Sequence, residues 1–170
     1  MQNHFELFQL PQRFTLDTSA LEQAYHEVQN QTHPDRFVNA TSAEKRVAMQ
    51  WTTRANEAYQ TLKSPFKRAA YLCELNGVEL EVESNTAMPT AFLMQQMEWR
   101  DALAEAASLD AVEALSAEVT ATRNATLQTL QAQIDDAATV DWRAVAGIVR
   151  GLMFVDKFIR DIDRRVDSLE

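Results

Sequence analysis

The sequence predicts an all-α protein, and three features carry that expectation. Glycine and proline are scarce, with three and four copies in 170 residues, so few positions force a helix to break. Ala, Leu, Glu and Gln are abundant, and these side chains lose little rotamer freedom in a helix. Apolar residues recur at three- and four-residue intervals, the period of a helix with one buried face.

Each element follows from local signals. Phe5 to Leu10 is a short apolar segment that ends at Pro11. Asp17 or Thr18 can accept a hydrogen bond from an orphan N–H and so start the next helix. That helix carries Leu21, Ala24, Tyr25 and Val28 on one stripe. It ends near Thr32, because Pro34 lacks an N–H and disfavours α geometry in His33. After a polar loop, the hydroxyl of Ser42 is expected to cap a third helix reaching about Lys63. Val47, Ala48, Trp51, Ala55, Ala58, Tyr59 and Leu62 form its expected buried face. Ser64-Pro65 reads as a cap followed by proline in the first turn, which starts a fourth helix over 65–76. Asn76-Gly77 closes it in left-handed geometry.

Residues 77–89 are read as a connector: 78–89 alternate in polarity, but no partner strand is evident. Three further helices are expected over about 90–107, about 110–137, and from Asp141 nearly to Leu169. Short joins between long helices point to an antiparallel three-helix bundle. Phe92, Trp99, Ala102, Leu103 and Ala106 share the core face of the first. Val145, Ile148, Val149, Leu152, Val155, Ile159, Ile162 and Val166 form the stripe of the last. The chain therefore divides into an N-terminal domain over 1–76, the connector, and a C-terminal domain over 90–170.

Charge and composition exclude several functions. The net charge is −9, and all of it falls in 77–170, where eight basic residues meet seventeen acidic ones. An acidic chain without a basic stripe is a poor nucleic-acid binder, since neutralising phosphate supplies most of that affinity. No apolar run approaches the length that spans a bilayer. The N-terminus has neither the pattern of a secretory signal nor that of a transit peptide, so a cytoplasmic protein is expected. Cys73 is the single cysteine and sits in an apolar stretch, which reads as a buried, inert thiol. His4, His26 and His33 lack metal-ligand spacing, and no nucleophile elbow or oxyanion turn is present. Neither a metal, a cofactor nor a catalytic residue is expected, and the chain is not read as an enzyme.

The informative motif is His33-Pro34-Asp35, placed between two antiparallel amphipathic helices. Downstream lie Arg36-Phe37 and then Ala55-Asn56-Glu57-Ala58-Tyr59, with Leu62 closing the next helix. This arrangement resembles the J-domain of DnaJ-type proteins. Other segments narrow the likeness: Phe5-Glu6-Leu7-Phe8-Gln9-Leu10-Pro11, Leu16-Asp17, Arg68-Ala69-Ala70-Tyr71-Leu72, Thr90-Ala91-Phe92-Leu93-Met94, and Val149-Arg150 with Phe154-Val155-Asp156-Lys157. Together they are similar to the HscB family, the J-type co-chaperones of iron–sulfur cluster assembly, over essentially the whole chain.

The resemblance implies two partners. The N-terminal domain would engage a DnaK-type ATPase, HscA, through His33, Pro34 and Asp35. The C-terminal bundle would hold the cluster scaffold, IscU, and the pair would promote cluster transfer. Two positions depart from the J-domain pattern. Thr32 stands where an aromatic is usual, and no Lys or Arg lies between Leu21 and Thr32 in a helix that is usually basic. Attraction to the ATPase would therefore rely on Arg36, Lys45, Arg46 and Arg54.

In the helix near Thr90, Leu93, Met94 and Met97 lie away from the core face, and Phe154 falls off the stripe of the last helix. A bundle helix needs one buried stripe, so this surplus apolar surface must be covered. Periodicity leaves two covers open, the N-terminal domain or a partner protein. The resemblance favours the partner, with Arg100 and Asp101 as charged neighbours and Met88 where the family can carry a basic residue. Two rivals are a J-domain protein serving a general chaperone with unfolded clients and a carboxylate metalloenzyme. The chain lacks the Gly/Phe-rich linker and CxxC repeats of the first and the Glu-x-x-His pairs of the second.

Overall fold

The computed structural model describes residues 2–80 and 88–170, which form seven α-helices and one 3-10 turn with no strand among them. The helices are α1 (His4–Leu7), α2 (Thr18–Thr32), α3 (Ser42–Lys63), α4 (Pro65–Leu75), α5 (Thr90–Glu105), α6 (Leu109–Ile134) and α7 (Trp142–Leu169), and the 3-10 turn covers Pro34–Phe37. Most of the connector expected from the sequence, 81–87, lies outside the described residues. The chain forms two compact units, 1–72 and 73–170, and the division falls inside α4, ahead of Asn76.

Caps set the helix ends. Asp17 accepts the N–H of Ala20 at 3.2 Å, and Asp141 accepts that of Ala144 at 3.2 Å. The cap of α3 is Thr41 rather than the expected Ser42: its hydroxyl accepts the Glu44 N–H at 3.1 Å. Thr41-Ser42-Ala43-Glu44 has the spacing of a capping box, with an acidic residue three positions after the hydroxyl, in the positive end of the helix dipole. The end of α4 is a double backbone closure. Val78 donates to the Cys73 carbonyl and Gly77 to that of Glu74, each at 3.0 Å, while Gly77 turns left-handed at φ 78°.

In the first unit α2 and α3 form an antiparallel hairpin against α1 and α4. Phe5, Phe8, Phe14, Leu21, Ala55, Ala58, Leu62, Ala69 and Leu72 are buried between them. Arg68 is buried too, with its guanidinium donating to the Leu62 carbonyl at 2.7 Å and lying over the Phe14 ring. Tyr25 and Tyr59 stack 4.1 Å apart across the hairpin, where Tyr59 donates to Glu22 and Tyr25 to Asn56. Val47 and Trp51 break the expected stripe of α3, being 51% and 37% exposed. At ~100° per residue they lie 60–100° from Ala48, and the space beside them is an open groove.

In the second unit α5, α6 and α7 make the expected bundle. The early turns of α6 (Val112, Leu115, Val119) pack on the late turns of α7 (Val155, Phe158, Ile162), which is an antiparallel pairing. Trp99 of α5 stacks on Phe158 at 5.8 Å. Phe158 is absent from the stripe read in the sequence but is 3% exposed, because the face of α7 that meets two helices is wider than one stripe. Ala102 is exposed rather than in the core. Arg123 and Asp156 join α6 to α7 through a 2.6 Å charge-assisted bond, about three-quarters shielded from water.

The hairpin predicts a pH signature. The hydrogen bond to the Glu22 carboxylate, with burial, raises Tyr59 above the ordinary value of 10.0. The folded state therefore holds the proton more tightly than the unfolded chain. The resulting stabilisation is complete below pH 10 and is lost as pH climbs through the folded value. Tyr59→Phe should flatten the alkaline limb of the stability curve, measured by urea denaturation between pH 8 and 11; an unchanged slope would contradict this linkage.

Candidate functional site

The first candidate surface is the loop at the tip of the α2–α3 hairpin. Its base is fixed by two hydroxyls. Thr32 donates to the Val28 carbonyl and accepts from Thr52 of α3, each at 2.9 Å. Threonine at position 32 therefore ties the end of α2 to α3. His33 leaves the helix in an extended conformation, φ −59° and ψ 135°. Pro34 then enters the 3-10 turn, where its fixed φ fits and its missing N–H leaves nothing unsatisfied.

Local bonds hold the motif backbone, and its three side chains face water. Asp35 donates its backbone N–H to Nδ1 of His33 at 3.2 Å, and Arg36 donates to the His33 carbonyl at 3.0 Å. With Nδ1 accepting, the neutral ring carries its proton on Nε2, free to donate outward. The side chains of His33 and Asp35 are 58% and 89% exposed, with Nδ1 and a carboxylate oxygen 3.6 Å apart. The loop thus offers a ring donor and a carboxylate on a short, pre-set backbone.

The cations around the loop do not converge. Arg36, Lys45 and Arg46 are exposed. Lys45 and Arg46 sit ~100° apart on α3, on sides away from Val47 and Trp51. Arg54 is different: its guanidinium lies 4.9 Å over the Trp51 ring and reaches the Gln2 carbonyl at 3.4 Å. Trp51 lines a groove of about 620 Å³ together with Leu7, Val28, Phe37, Glu44, Val47 and Ala48, and Arg54 stands beside it through its stack on Trp51. The sequence reading missed this groove because the α3 periodicity placed Val47 and Trp51 in the core. The available signal was Trp51 with Arg54 one turn on, a stacked pair typical of surfaces.

The second candidate surface lies on the bundle. Leu93, Met94 and Met97 of α5 are 41%, 57% and 65% exposed, and their spacing puts them on one ridge. Arg100 and Asp101 follow one turn later, both exposed. Phe154 of α7 is half-buried, its ring 6.2 Å from that of Phe92, so it stands beside α5 although 61 positions from Leu93 in sequence. Met88 is buried with its methyl beside Gly151, and an uncharged thioether at this position offers a partner no ionic contact.

Other candidates are chemically quiet. Burial pushes the Cys73 thiol up to about 11, so the nucleophilic thiolate is scarce near neutrality. Among the described residues, no three His, Cys, Asp or Glu side chains group as metal ligands, and no helix is long and apolar enough to cross a membrane.

Similarity to known proteins spans nearly the whole chain. Residues 88–163 match the family described as the HSCB C-terminal oligomerisation domain. The chain is 49% identical to the co-chaperone protein HscB homolog of Burkholderia multivorans, covering 99% of this chain and 96% of that one. It is 50% identical to the corresponding homolog of Ralstonia nicotianae, covering 98% and 96%. Among solved structures, the chaperone HscB from Vibrio cholerae superposes with a TM-score of 0.87 at 37% identity, over 99% of this chain and all of that one. Human co-chaperone protein HscB gives 0.93 at 26% identity, over 99% and 84%. The chain belongs to the HscB family of J-type co-chaperones.

Proposed function

We propose that this co-chaperone stimulates the ATPase of an HscA-type chaperone through His33, Pro34 and Asp35, and delivers to it an IscU-type iron–sulfur scaffold held on the bundle. The carrying observation is the loop itself. Its three motif residues are exposed, while the backbone beneath them is fixed by the Thr32–Thr52 bond and the His33–Asp35 turn. A side chain that packs nothing internally, on a backbone held in one conformation, loses little entropy when gripped.

Each motif residue then has a role in the partner contact. Asp35 presents both carboxylate oxygens to an arginine of the ATPase, a bidentate geometry that sets orientation as well as affinity. His33 donates from Nε2. Pro34 holds the separation between the two. Hydrolysis is the ATPase's chemistry, and the loop contributes only tighter binding to the hydrolysis-competent state than to the resting one. Arg36, Lys45, Arg46 and Arg54 add attraction at a distance, which does not require them to share one face.

On the bundle, Leu93, Met94 and Met97 offer apolar area that Phe154, beside Phe92, would extend from α7, with Arg100 and Asp101 setting the register of a partner. Methionine side chains adapt to an incoming surface because they are unbranched and polarizable. The cytoplasm is the compartment that fits a lone reduced thiol and this partnership.

Three measurements test the proposal. Asp35→Asn should abolish ATPase stimulation while circular dichroism and scaffold affinity stay unchanged; full stimulation by that variant would refute the role of the loop. Association with the ATPase should slow as salt shortens the screening length from about 10 Å at 0.1 M; a rate independent of salt would remove the steering role of the cations. Leu93→Ala and Phe154→Ala should each weaken scaffold binding by about 1–2 kcal/mol with little change in melting temperature, because neither truncation opens a fully enclosed cavity. Leu152→Ala should instead cost about 2–5 kcal/mol of stability. A large loss of stability in Leu93→Ala with unchanged scaffold affinity would show that the ridge is internal packing.

A further inference from the structure

The exposed apolar groove beside the motif loop has no internal explanation. Val47 and Trp51 form one wall, Phe37 the end nearest the loop, and Val28 and Leu7 the other side. A tryptophan 37% exposed and a valine 51% exposed leave apolar area in water that a change to polar side chains would remove. At the rim stands Arg54, stacked on Trp51, and no carboxylate among the described residues forms an ion pair with it. The groove runs directly into the motif: Thr32 and Phe37, which line it, bracket residues 33–36 in the chain.

The charges of the hairpin point to the same side. The exposed side of α2 carries Glu27 and His26 but no Lys or Arg, so it offers nothing to an acidic partner. The α3 side carries a largely apolar slot, with Glu44 in its lining and, beside Trp51, the Arg54 guanidinium, which among the described residues is bonded only to the Gln2 carbonyl and has no carboxylate partner. Tryptophan and arginine are the residue types that most often dominate binding energy at protein contacts.

We infer that this groove is a second contact for the chaperone ATPase, receiving an apolar segment of that partner with a carboxylate placed to pair with Arg54. The contact moves recognition from α2 to the α3 side of the hairpin. It supplies affinity, while His33, Pro34 and Asp35 supply the trigger. The inference rests on the reading of that loop as the ATPase contact, and the two separate experimentally because affinity and trigger affect different parameters.

The test is a titration of the full-length protein against a purified HscA-type ATPase, reading the half-saturating concentration and the plateau of stimulated hydrolysis. Val47→Glu and Trp51→Ser should each raise the half-saturating concentration tenfold or more while the plateau, reached at higher concentration, is retained. Arg54→Glu should raise it as well, and the increase should shrink in high salt. Glu27→Ala on α2 should change it less than twofold. Asp35→Asn should remove the plateau itself. Circular dichroism checks folding, and Val47→Glu decides the matter if Trp51→Ser is unstable, because Val47 is half exposed already. Loss of the plateau in Asp35→Asn with unchanged half-saturation in a folded Val47→Glu overturns the groove contact and leaves the loop reading intact. Full stimulation by Asp35→Asn overturns the loop reading, and the groove contact with it. A Val47→Glu variant that changes the sedimentation of the free protein without changing half-saturation assigns the groove to a second copy and likewise overturns the inference.

Discussion

The antiparallel pairing of α2 with α3 is the constraint on which the conformation of the motif loop depends. A five-residue span from Thr32 to Arg36 cannot hold a conformation alone, since fixing each residue costs about 1–2 kcal/mol of backbone entropy. The hairpin removes that cost from the binding step by settling it during folding. Tyr25 and Tyr59 stack at its middle, Glu22 and Asn56 bond their hydroxyls, and Thr52 grips Thr32 at the end. The Thr52–Thr32 bond sits nearest the tip, so the register of the hairpin is transmitted to His33. The loop side chains contribute nothing to the core and are free to be chosen for recognition.

The bundle applies the opposite division of labour within single helices. On α7 a wide face is buried, from Val145 through Ile162, because α7 meets both α5 and α6. On α5 the face carrying Trp99 is buried and the face carrying Leu93, Met94 and Met97 is not. Burying those three side chains would return roughly 25 cal/mol per Å² of apolar area, yet the three-helix core closes without them. That leaves the free energy of covering them available to a binding event rather than to folding.

Much of this was legible in the sequence, and the misses have physical causes. Helix number, order and most boundaries follow from Asp17, Pro34, Ser64-Pro65, Gly77 and Asp141, because caps and breakers act locally. Thr41 was missed as a cap because two adjacent hydroxyls compete there, and only the backbone shows which one reaches the N–H of the third helical residue. Val47, Trp51 and Ala102 were misplaced because periodicity defines a face to within about a turn's width, not which edge of that face a neighbouring helix covers. Phe158 was missed for the converse reason: one stripe was assumed where two helices pack. The exposure of Leu93, Met94 and Met97 was legible because three large apolar residues lay clear of the face that Trp99 had already claimed.

The two candidate surfaces also differ in rigidity, and under the proposed function each suits a different binding task. A co-chaperone changes a partner's rate only through unequal affinity for the partner's states. Such inequality needs a rigid reporter, because a loop that adjusts to both states binds them equally and shifts neither. The loop at 33–36 meets that requirement through its threonine clasp and turn. A surface that only delivers cargo has no such requirement, and flexible methionines suit it better because uniform affinity is enough. Under the proposed function, rigidity at the tip of the hairpin and adaptability on α5 therefore answer two different binding problems, separated along the chain so that neither compromises the other.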